Sequence, residues 1–343
     1  MKKVRFLAPL AALAAVAVVA ASVAGSGAAA PEATFRVGLV SDVARFNDQG
    51  FNQSQLEGAK RLAAKDKSIQ ISTAESRSAS DYLPNLASFA RRGYNLVIAS
   101  GYLLAPAEAT VAKQYPNVKF AVTDQSAVGP PIKSLKNVEG LTYATQENSW
   151  LAGCLAGLMT KKQGGKQIIG VVGGIKIPPV DTFLAGYKAG AEKCNPGIKV
   201  LIGYSQDFID QAKCKTVAQN QIDAGSQVEF NVAGPCGLGT LDAANDAGIW
   251  GIGVDVDQYA THPGTILTSA VKRVDTGVYL AIKGVQTGKG FNGGRDLVFN
   301  LKNGGVGLGK INPNVPGSVL KTLNKYRAQI ISGKIKPPLK IGG

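Results

Sequence analysis

The stretch FRVGLVSDVARFNDQGFNQSQLEGAKRLAAK, residues 35–65, carries the pattern that decides the fold. A short apolar run, FRVGLV, comes first and predicts a buried strand. A polar loop follows, and apolar residues then recur at helical spacing from about Asn52 to Lys65. A strand, a loop and a helix in this order form one half of a βαβ unit, the building block of parallel sheets.

The same alternation continues toward the C-terminus. IQISTA, NLVIAS and VKFAVTD complete a first set of predicted strands, and IIGVVGG, IKVLIGYS, VEFNVAG and WGIGVDVD form a second set. Two such sets predict two similar α/β lobes. A further unit, TILTSAV with VDTGVYLAIKGVQTG, follows, and the glycine-broken DLVFNLKNGGVGL predicts an antiparallel extension. Helices are expected at about 81–92, 105–114, 148–161, 181–193, 211–224, 241–247 and 317–332.

Residues 1–30 have the order of a secretory signal peptide with a short linker. Lys2, Lys3 and Arg5 precede an apolar run from Phe6 to about Ala24, and small residues follow, as in cleaved signals. Because the run is nearly long enough to span a bilayer, a retained anchor is the alternative. We expect export to the periplasm or the extracellular space, with the mature protein soluble.

The chain is basic, but its basic residues are dispersed. Removal of Lys2, Lys3 and Arg5 with the predicted signal lowers the formal net charge from +15 to +12. The remaining Lys and Arg residues form no dense cluster with interleaved aromatics, so a solvated surface is favoured and no nucleic-acid partner is expected. Roughly 310 residues remain, which is enough for two domains of ordinary size.

The cysteines bear on anchoring and on stability. None precedes Cys154, so a lipid anchor near the cleavage site is not expected. Four cysteines in an exported chain predict two disulfides, for which three connectivities exist. Metal binding is the alternative, but C-x-x-C spacing is absent from the sequence and His262 is its only histidine. No metal or other cofactor is expected.

Catalytic motifs are also missing from the sequence, which contains neither G-x-S-x-G nor H-E-x-x-H. His262 lies in the turn-like THPG and is expected at the surface. The segment GGVGLGK, residues 304–310, resembles a phosphate-binding loop, but Ile311 stands where Ser or Thr would bind magnesium. These features favour a binding protein over an enzyme.

Candidate binding residues follow the predicted strands, where open α/β sheets bind their ligands. Phe51 and Phe208 lie outside the apolar periodic runs; together they can stack on a planar ligand, whereas each alone would pack at a helix start. Asp255 and Asp257 would face one side of an extended segment and accept hydrogen bonds from hydroxyls, although Asp257 is equally well explained as a surface or capping residue. The loop GPCGLG, residues 234–239, is predicted to approach a ligand closely. Other residues directly after apolar runs are Asp42, Tyr102, Asp124, Gly174 and Ser205.

Several long blocks resemble one family. They include FNDQGFNQSQLEG, NVEGLTY with N-x-W-LAG-x-LAG, VVGG-x-x-IPPV-x-x-F-x-AGYKAGA, GSQVEFNVAGPCGLG, IGVDVDQ and S-x-VKRVD. In these blocks, from about Phe35 to Pro338, the chain resembles the basic membrane protein family. These are substrate-binding components of ABC transporters, and characterised members bind purine nucleosides.

The resemblance implies a type I periplasmic-binding-protein fold, with two Rossmann-like lobes, three hinge crossovers and a ligand clamped between the lobes. The first lobe is expected to contain residues 35–142 and about 258–290, and the second lobe residues 143–257 and about 291–343. A membrane permease is the implied partner and a monomer the implied state. Another small polar solute, such as a sugar or a modified base, is the alternative ligand.

In the first lobe, the resemblance carries ligand-binding roles onto four residues. Asp42 and Asn47 would lie near the base, Phe51 would stack on it, and Asp124 would line the cleft. Family members usually have small residues between this first aspartate and the FNQ block. Arg45 and Phe46 stand there instead, and we expect them to narrow the pocket or to change which ring it accepts.

In the second lobe, the resemblance places Phe208 on the opposite face of the base. The backbone from Gly234 to Gly237 would approach the ligand, and Asp255 and Lys272 would hold the ribose hydroxyls. The cysteines are not general to the family. Their placement along the implied fold suggests two pairs, Cys154 with Cys194 and Cys214 with Cys236.

Overall fold

The opening stretch folds as a strand, a loop and a helix. The structure is a computed structural model that describes residue 1 and residues 34–342. Apart from residue 1, the predicted signal peptide lies outside these residues. The elements of the first half are β1 (Phe35–Ser41), α1 (Phe51–Lys65), β2 (Ile69–Ala74), α2 (Tyr82–Arg91), β3 (Leu96–Ser100), α3 (Ala105–Gln114), β4 (Lys119–Thr123) and β5 (Val138–Tyr143).

The second half repeats the alternation. Three short 3₁₀ helices also occur, at Ala79–Asp81, Tyr102–Leu104 and Gly234–Gly237. The remaining elements are α4 (Thr145–Gln163), β6 (Ile168–Gly173), α5 (Pro178–Cys194), β7 (Lys199–Tyr204), α6 (Gln211–Asp223), β8 (Ser226–Val232), α7 (Leu238–Asp246), β9 (Trp250–Asp255), β10 (Ile266–Lys272), α8 (Val274–Gln286), β11 (Asp296–Phe299), β12 (Val306–Leu308) and α9 (Gly317–Ile331).

The strands form two six-stranded sheets, as the two sets of βα units predict. The first sheet has the order β11-β5-β4-β3-β1-β2, and its recorded pairings are all parallel. The second has the order β12-β10-β9-β8-β6-β7, in which, within residues 34–342, β12 alone runs antiparallel to its neighbour. Helices cover both faces, so central strands such as β3 are buried along their whole length, and β3 is apolar up to its last residue, Ser100.

Three crossovers join the two lobes. The chain leaves the first sheet after β5, returns from β10 to α8, which packs on α1, and leaves again between β11 and β12. At the crossovers, the rings of Tyr143 and Phe299 stack with centroids 4.8 Å apart. Arg273 N donates to Gly305 O at 2.9 Å. These contacts tie the crossing segments together.

The division into lobes expected from the sequence differs from the structure at two strands. Strand β10, expected in the first lobe, pairs with β9 in the second sheet, and β11, expected in the second lobe, pairs with β5 in the first. Strand β11 is also parallel, so the predicted antiparallel extension is limited to β12. Both short runs are compatible with either sheet, because a strand's own pattern does not specify which neighbour it pairs with.

Helices α4 and α5 pack closely enough to be cross-linked. A methyl group on Gly153 or Gly190 would overlap the backbone of the facing helix, so glycine is needed at both positions. Cys154 and Cys194 form a disulfide there, with Cα atoms 5.1 Å apart. Within residue 1 and residues 34–342, every helix is too short or too polar to cross a bilayer.

Candidate ligand-binding site

A cleft lies between the lobes, at the carboxyl ends of strands from both sheets. About 630 Å³ inside it is free of protein atoms, part of this open to solvent. Loops after β1, β3, β4, β6, β7, β8 and β9 contribute to its walls, as expected for open α/β sheets. Of the residues predicted to bind ligand, those that line the cleft are Asp42, Phe51, Asp124, Phe208, Gly234, Asp255 and Lys272.

Asp42 follows β1 and faces the cleft from the first lobe. Its Oδ1 accepts hydrogen bonds from Ala44 N at 2.9 Å and Asn52 Nδ2 at 2.7 Å. Burial raises the pKa of Asp42 to about 6, and the negative charges of Asp48 and Asp124 act in the same direction. The hydrogen bonds from Ala44 and Asn52 oppose this shift and limit the rise in the pKa.

Asp48 and Asn52 line the cleft, and neither was predicted. Asp48 accepts hydrogen bonds from the N–H groups of Asn52 at 2.8 Å and Gln53 at 2.9 Å, which satisfies donors at the start of α1. Asn52 Nδ2 bridges Asp42 and Asp48. The signal in the sequence was an aspartate placed to cap the helix that begins at Phe51.

Asn47 is exposed and does not line the cleft. The loop turns through left-handed conformations at Arg45 (φ 62°) and Gln49 (φ 52°), and these turns decide which neighbouring side chain faces inward. Arg45 is exposed, and Phe46 belongs to the apolar core that includes Val37. Neither Arg45 nor Phe46 lines the cleft, so the expected narrowing of the pocket is absent.

Phe51 presents its ring at the first residue of α1. Gly101, with φ 134°, makes room for this ring, because a methyl group there would lie 3.3 Å from Phe51 Cε1. Lys272 Nζ lies 4.8 Å from the centroid of the Phe51 ring, 5.3 Å from that of Tyr143 and 5.8 Å from that of Phe183. The ammonium therefore sits among three aromatic rings, an arrangement that stabilises a desolvated cation.

A buried ion pair links the two lobes across the cleft. Lys272 ends β10 of the second sheet, and its Nζ donates to Asp124 Oδ2 at 2.5 Å. Asp124 follows β4 of the first sheet in a left-handed conformation, φ 68°. The two side chains are 3% and 10% exposed. At this burial each charge depends on the other, because an isolated charge would be strongly destabilising.

Asp255 contributes a carboxyl oxygen that is free to accept. Its Oδ1 is buried, and among residues 34–342 it has no hydrogen-bond partner. Burial raises the pKa of Asp255 to about 7; the charge of Lys272 lowers it, while Asp124 and other cleft carboxylates raise it. A hydrogen-bond donor on a ligand would remove the cost of this unsatisfied group.

Asp257 does not join Asp255 in the cleft, so the predicted pairing of their side chains is wrong. It is exposed and accepts hydrogen bonds from Tyr259 N at 3.2 Å and Lys310 N at 3.0 Å. The reason is Asp255 itself, whose φ of 63° ends the extended strand. Alternate residues face the same side only while the strand continues.

The second lobe supplies Phe208, Gly234 and an apolar wall. Gly234, with φ 55°, begins the 3₁₀ helix, and Gly237 is buried behind it, outside the cleft lining. Phe183 was missed because it lies in an apolar helical run typical of core residues. The other apolar lining residues of α5 and the segment before it are Ile177, Pro179 and Val180.

Two further candidates have structural roles. The GGVGLGK segment forms the end of a turn, strand β12 and the two residues after it. Strand β12 is antiparallel to β10, which is not the strand-to-helix setting of a phosphate loop. His262 Nε2 lies 2.8 Å from Asp242 Oδ1 and is away from the cleft. In the second lobe, Cys214 and Cys236 form a disulfide beside Gly234.

Comparison with known proteins identifies related sequences. Residues 35–340 match the family described as ABC transporter substrate-binding protein, PnrA-like. The chain is 35% identical over 326 residues to the ABC transporter nucleoside-binding protein BmpA of Lactococcus lactis, a match that covers 89% of each chain. It is 33% identical over 319 residues to basic membrane protein A1 of Borrelia garinii, covering 92% of each.

Solved structures show the same architecture. A solute-binding protein of an ABC transporter system from Aeropyrum pernix superposes with a TM-score of 0.80 at 26% identity, covering 89% of this chain and 94% of that one. A solute-binding protein from Bacillus halodurans with bound myo-inositol has a TM-score of 0.60 at 12% identity, which shows a shared fold alone; it covers 88% of this chain and 100% of that one. This is the predicted type I periplasmic-binding-protein fold. The chain therefore belongs to the PnrA-like, or basic membrane protein, family of ABC transporter substrate-binding proteins, which act outside the cytoplasm and are not enzymes.

Proposed function

We propose that this protein binds a purine nucleoside between its lobes and delivers it to an ABC permease. Membership of a transporter substrate-binding family supports a small-molecule ligand and a membrane partner. The name of the Lactococcus relative, a nucleoside-binding protein, supports the class of ligand. Export through the N-terminal signal peptide, as a monomer without a lipid anchor, completes the proposal.

The base is held between Phe51 and Phe208. These rings line the cleft from opposite lobes, so closure brings them to the two faces of one planar ligand. Stacking of this kind contributes about 1 kcal/mol per ring beyond burial. The polar edge of the base meets Asp42 and Asn52, whose side chains are already joined by a hydrogen bond of 2.7 Å.

The ribose is held by Asp255 and Lys272, and one observation carries this assignment. Asp255 Oδ1 is a buried acceptor in the cleft whose hydrogen-bonding capacity is unused within the described chain. Ribose hydroxyls are donors that match it, and they also accept from an ammonium. Lys272 is placed to donate, because its charge already acts on Asp255.

Closure of the lobes traps the ligand. A ligand that contacts both lobes favours the closed state by the difference between its affinities for the two states. The ion pair between Lys272 and Asp124 bridges the lobes and therefore also favours the closed arrangement.

Identification of the bound ligand tests this function. We expect a purine nucleoside to be released when protein purified under native conditions is denatured and the extract is analysed by mass spectrometry. Adenosine, guanosine or inosine should also raise the melting temperature of ligand-free protein. Ribose that binds as tightly as any nucleoside would identify a sugar-binding protein instead, and no response to any nucleoside or base would refute the proposal.

Charge in the cleft predicts selectivity against nucleotides. At about pH 8, above the pKa values of Asp42 and Asp255, the carboxylates of Asp42, Asp48, Asp124 and Asp255 face one ammonium among the described lining residues, that of Lys272. A 5′-phosphate adds two negative charges to this surplus, and repulsion of about 3 kcal/mol corresponds to about 100-fold weaker binding. Calorimetric titration with inosine and with inosine monophosphate measures the ratio. Equal affinities would contradict the charge argument without affecting the assignment of the base.

A further inference from the structure

Phe208, the second-lobe ring that is proposed to stack on the base, lies on a loop and not on a helix or a strand. Residues 205–210 connect β7 to α6 and carry Phe208. The start of this loop is fixed to β6, because Ser205 N and Gln206 N donate to Gly173 O and Gly174 O at 2.9 and 3.2 Å. The loop residues after Gln206, which include Phe208, need other contacts to hold the ring in place.

Cys236 supplies contacts along the loop. Its backbone N–H donates to Phe208 O at 3.0 Å, directly on the residue that bears the ring. Its sulfur lies 2.9 Å from Asp210 O and 3.5 Å from Ser205 Oγ. One residue therefore touches the loop at its beginning, at the ring-bearing position and at its end.

Cys236 is itself fixed by a covalent bond. Its disulfide partner, Cys214, lies in α6, and the two Cα atoms are 5.6 Å apart. Both cysteines are fully buried in a small apolar cluster that includes Ala218 and Ala233. The disulfide closes a ring of chain from residue 214 to residue 236, which contains most of α6 and the beginning of the Gly234–Gly237 turn. The loop at 205–210 directly precedes α6.

We propose that the Cys214–Cys236 disulfide is a positioning element for the ligand site, which holds Phe208 and the Gly234 turn in the geometry that receives the base. Its contribution is preorganisation, because a loop that is already ordered loses less conformational entropy on binding. The proposal rests on the proposed function insofar as Phe208 contacts the ligand.

The other disulfide provides a matched control. Cys154 and Cys194 join α4 to α5, whereas Cys214 and Cys236 join α6 to the turn that begins at Gly234; all four cysteines lie outside the cleft lining. The two disulfides span 40 and 22 residues, so their effects on the entropy of the unfolded chain are similar. Removal of either disulfide should lower the melting temperature, and only removal of the Cys214–Cys236 disulfide should change the ligand site.

The first experiment needs no ligand. Cys214→Ala with Cys236→Ala is compared with Cys154→Ala with Cys194→Ala by hydrogen exchange of the full-length protein. We expect faster exchange in residues 205–210 and 234–237 in the first variant alone. If the first variant is poorly folded, Cys214→Val with Cys236→Ala fills more of the apolar cluster and serves the same comparison. Unchanged exchange in these segments would overturn the proposal, whatever the ligand is.

The second experiment measures coupling to the ring, with inosine as the probe. Removal of the Cys214–Cys236 disulfide should raise the Kd about tenfold, mainly through a faster dissociation rate. A tenfold change corresponds to the free-energy cost of ordering one or two side chains on binding. In a Phe208→Leu background the same removal should change the Kd by less than about twofold. Additive effects would show that the disulfide acts on global stability alone and would overturn the proposal. Wild-type protein that binds no nucleoside would refute the proposed function, while the exchange result would still stand.

Discussion

Replacement of Lys272 by methionine is expected to produce the largest loss of both stability and ligand binding. The side chain of Lys272 is 3% exposed and pairs with Asp124 at 2.5 Å. Removing one partner of a buried ion pair leaves an uncompensated charge and costs about 3–5 kcal/mol of unfolding free energy. In the proposed complex, the ribose also loses its cationic donor, so nucleoside affinity should fall below detection.

A second variant separates the two effects. Adding Asp124→Asn to Lys272→Met removes the unpaired carboxylate, and we expect much of the lost stability to return while binding stays absent. Lys215→Met is the matched control, since it breaks an exposed ion pair with Asp246 in the same lobe and should change little. Urea unfolding and calorimetric titration measure the two quantities. A Lys272→Met protein that is as stable as wild type would contradict the role of the ion pair.

Asp255 is expected to make nucleoside affinity increase with pH. Only the ionised carboxylate offers both oxygens to ribose hydroxyls, and the pKa of this group is raised to about 7 in the ligand-free protein. Affinity should therefore increase from about pH 5 to about pH 8, with proton release on binding near neutrality. Titration of Asp42, with a pKa of about 6, contributes to the lower part of this range.

Asp255→Asn is expected to weaken nucleoside binding about 100-fold, the value of hydrogen bonds to a charged group. The pH dependence above about pH 6 should disappear with it. A variant that keeps the full rise in affinity between pH 6 and pH 8 would show that another group controls binding.

The stability of the ligand-free protein should decrease as pH rises, whereas nucleoside affinity should increase. In wild type, the unfolded chain ionises at the ordinary pKa of 3.8, while the folded chain keeps the proton up to about 7. The folded state therefore loses stability as pH rises through this interval. Asp255→Asn removes this loss, so the ligand-free variant should melt at a higher temperature than wild type at neutral pH. A lower melting temperature would indicate a structural role for the carboxylate.

Much of this protein is determined by local sequence. Helix α3 lies at the predicted residues, and the other helices begin and end within a few residues of their expected positions, because apolar spacing and turn residues act over short distances. The position of the cleft can also be predicted from these local sequence patterns. Asp42, Asp124 and Asp255 were predicted as residues directly after strands, and the carboxyl ends of parallel strands meet at one edge of a sheet.

Tertiary structure alone decided which side chains of each loop face the cleft. Left-handed turns at Arg45, Gln49 and Asp255 direct Asp48 inward and leave Asn47 and Asp257 exposed. The sheets to which β10 and β11 belong were also decided by tertiary structure. The sequence of either strand is compatible with either sheet, and its pairing with neighbouring strands determines the sheet that it joins. Spacing along the chain therefore determined the elements and the edge of the sheets where the cleft lies. Which residues of each loop face the cleft depends on backbone turns. The burial that raises the pKa of Asp255 depends on neighbours that are distant in sequence.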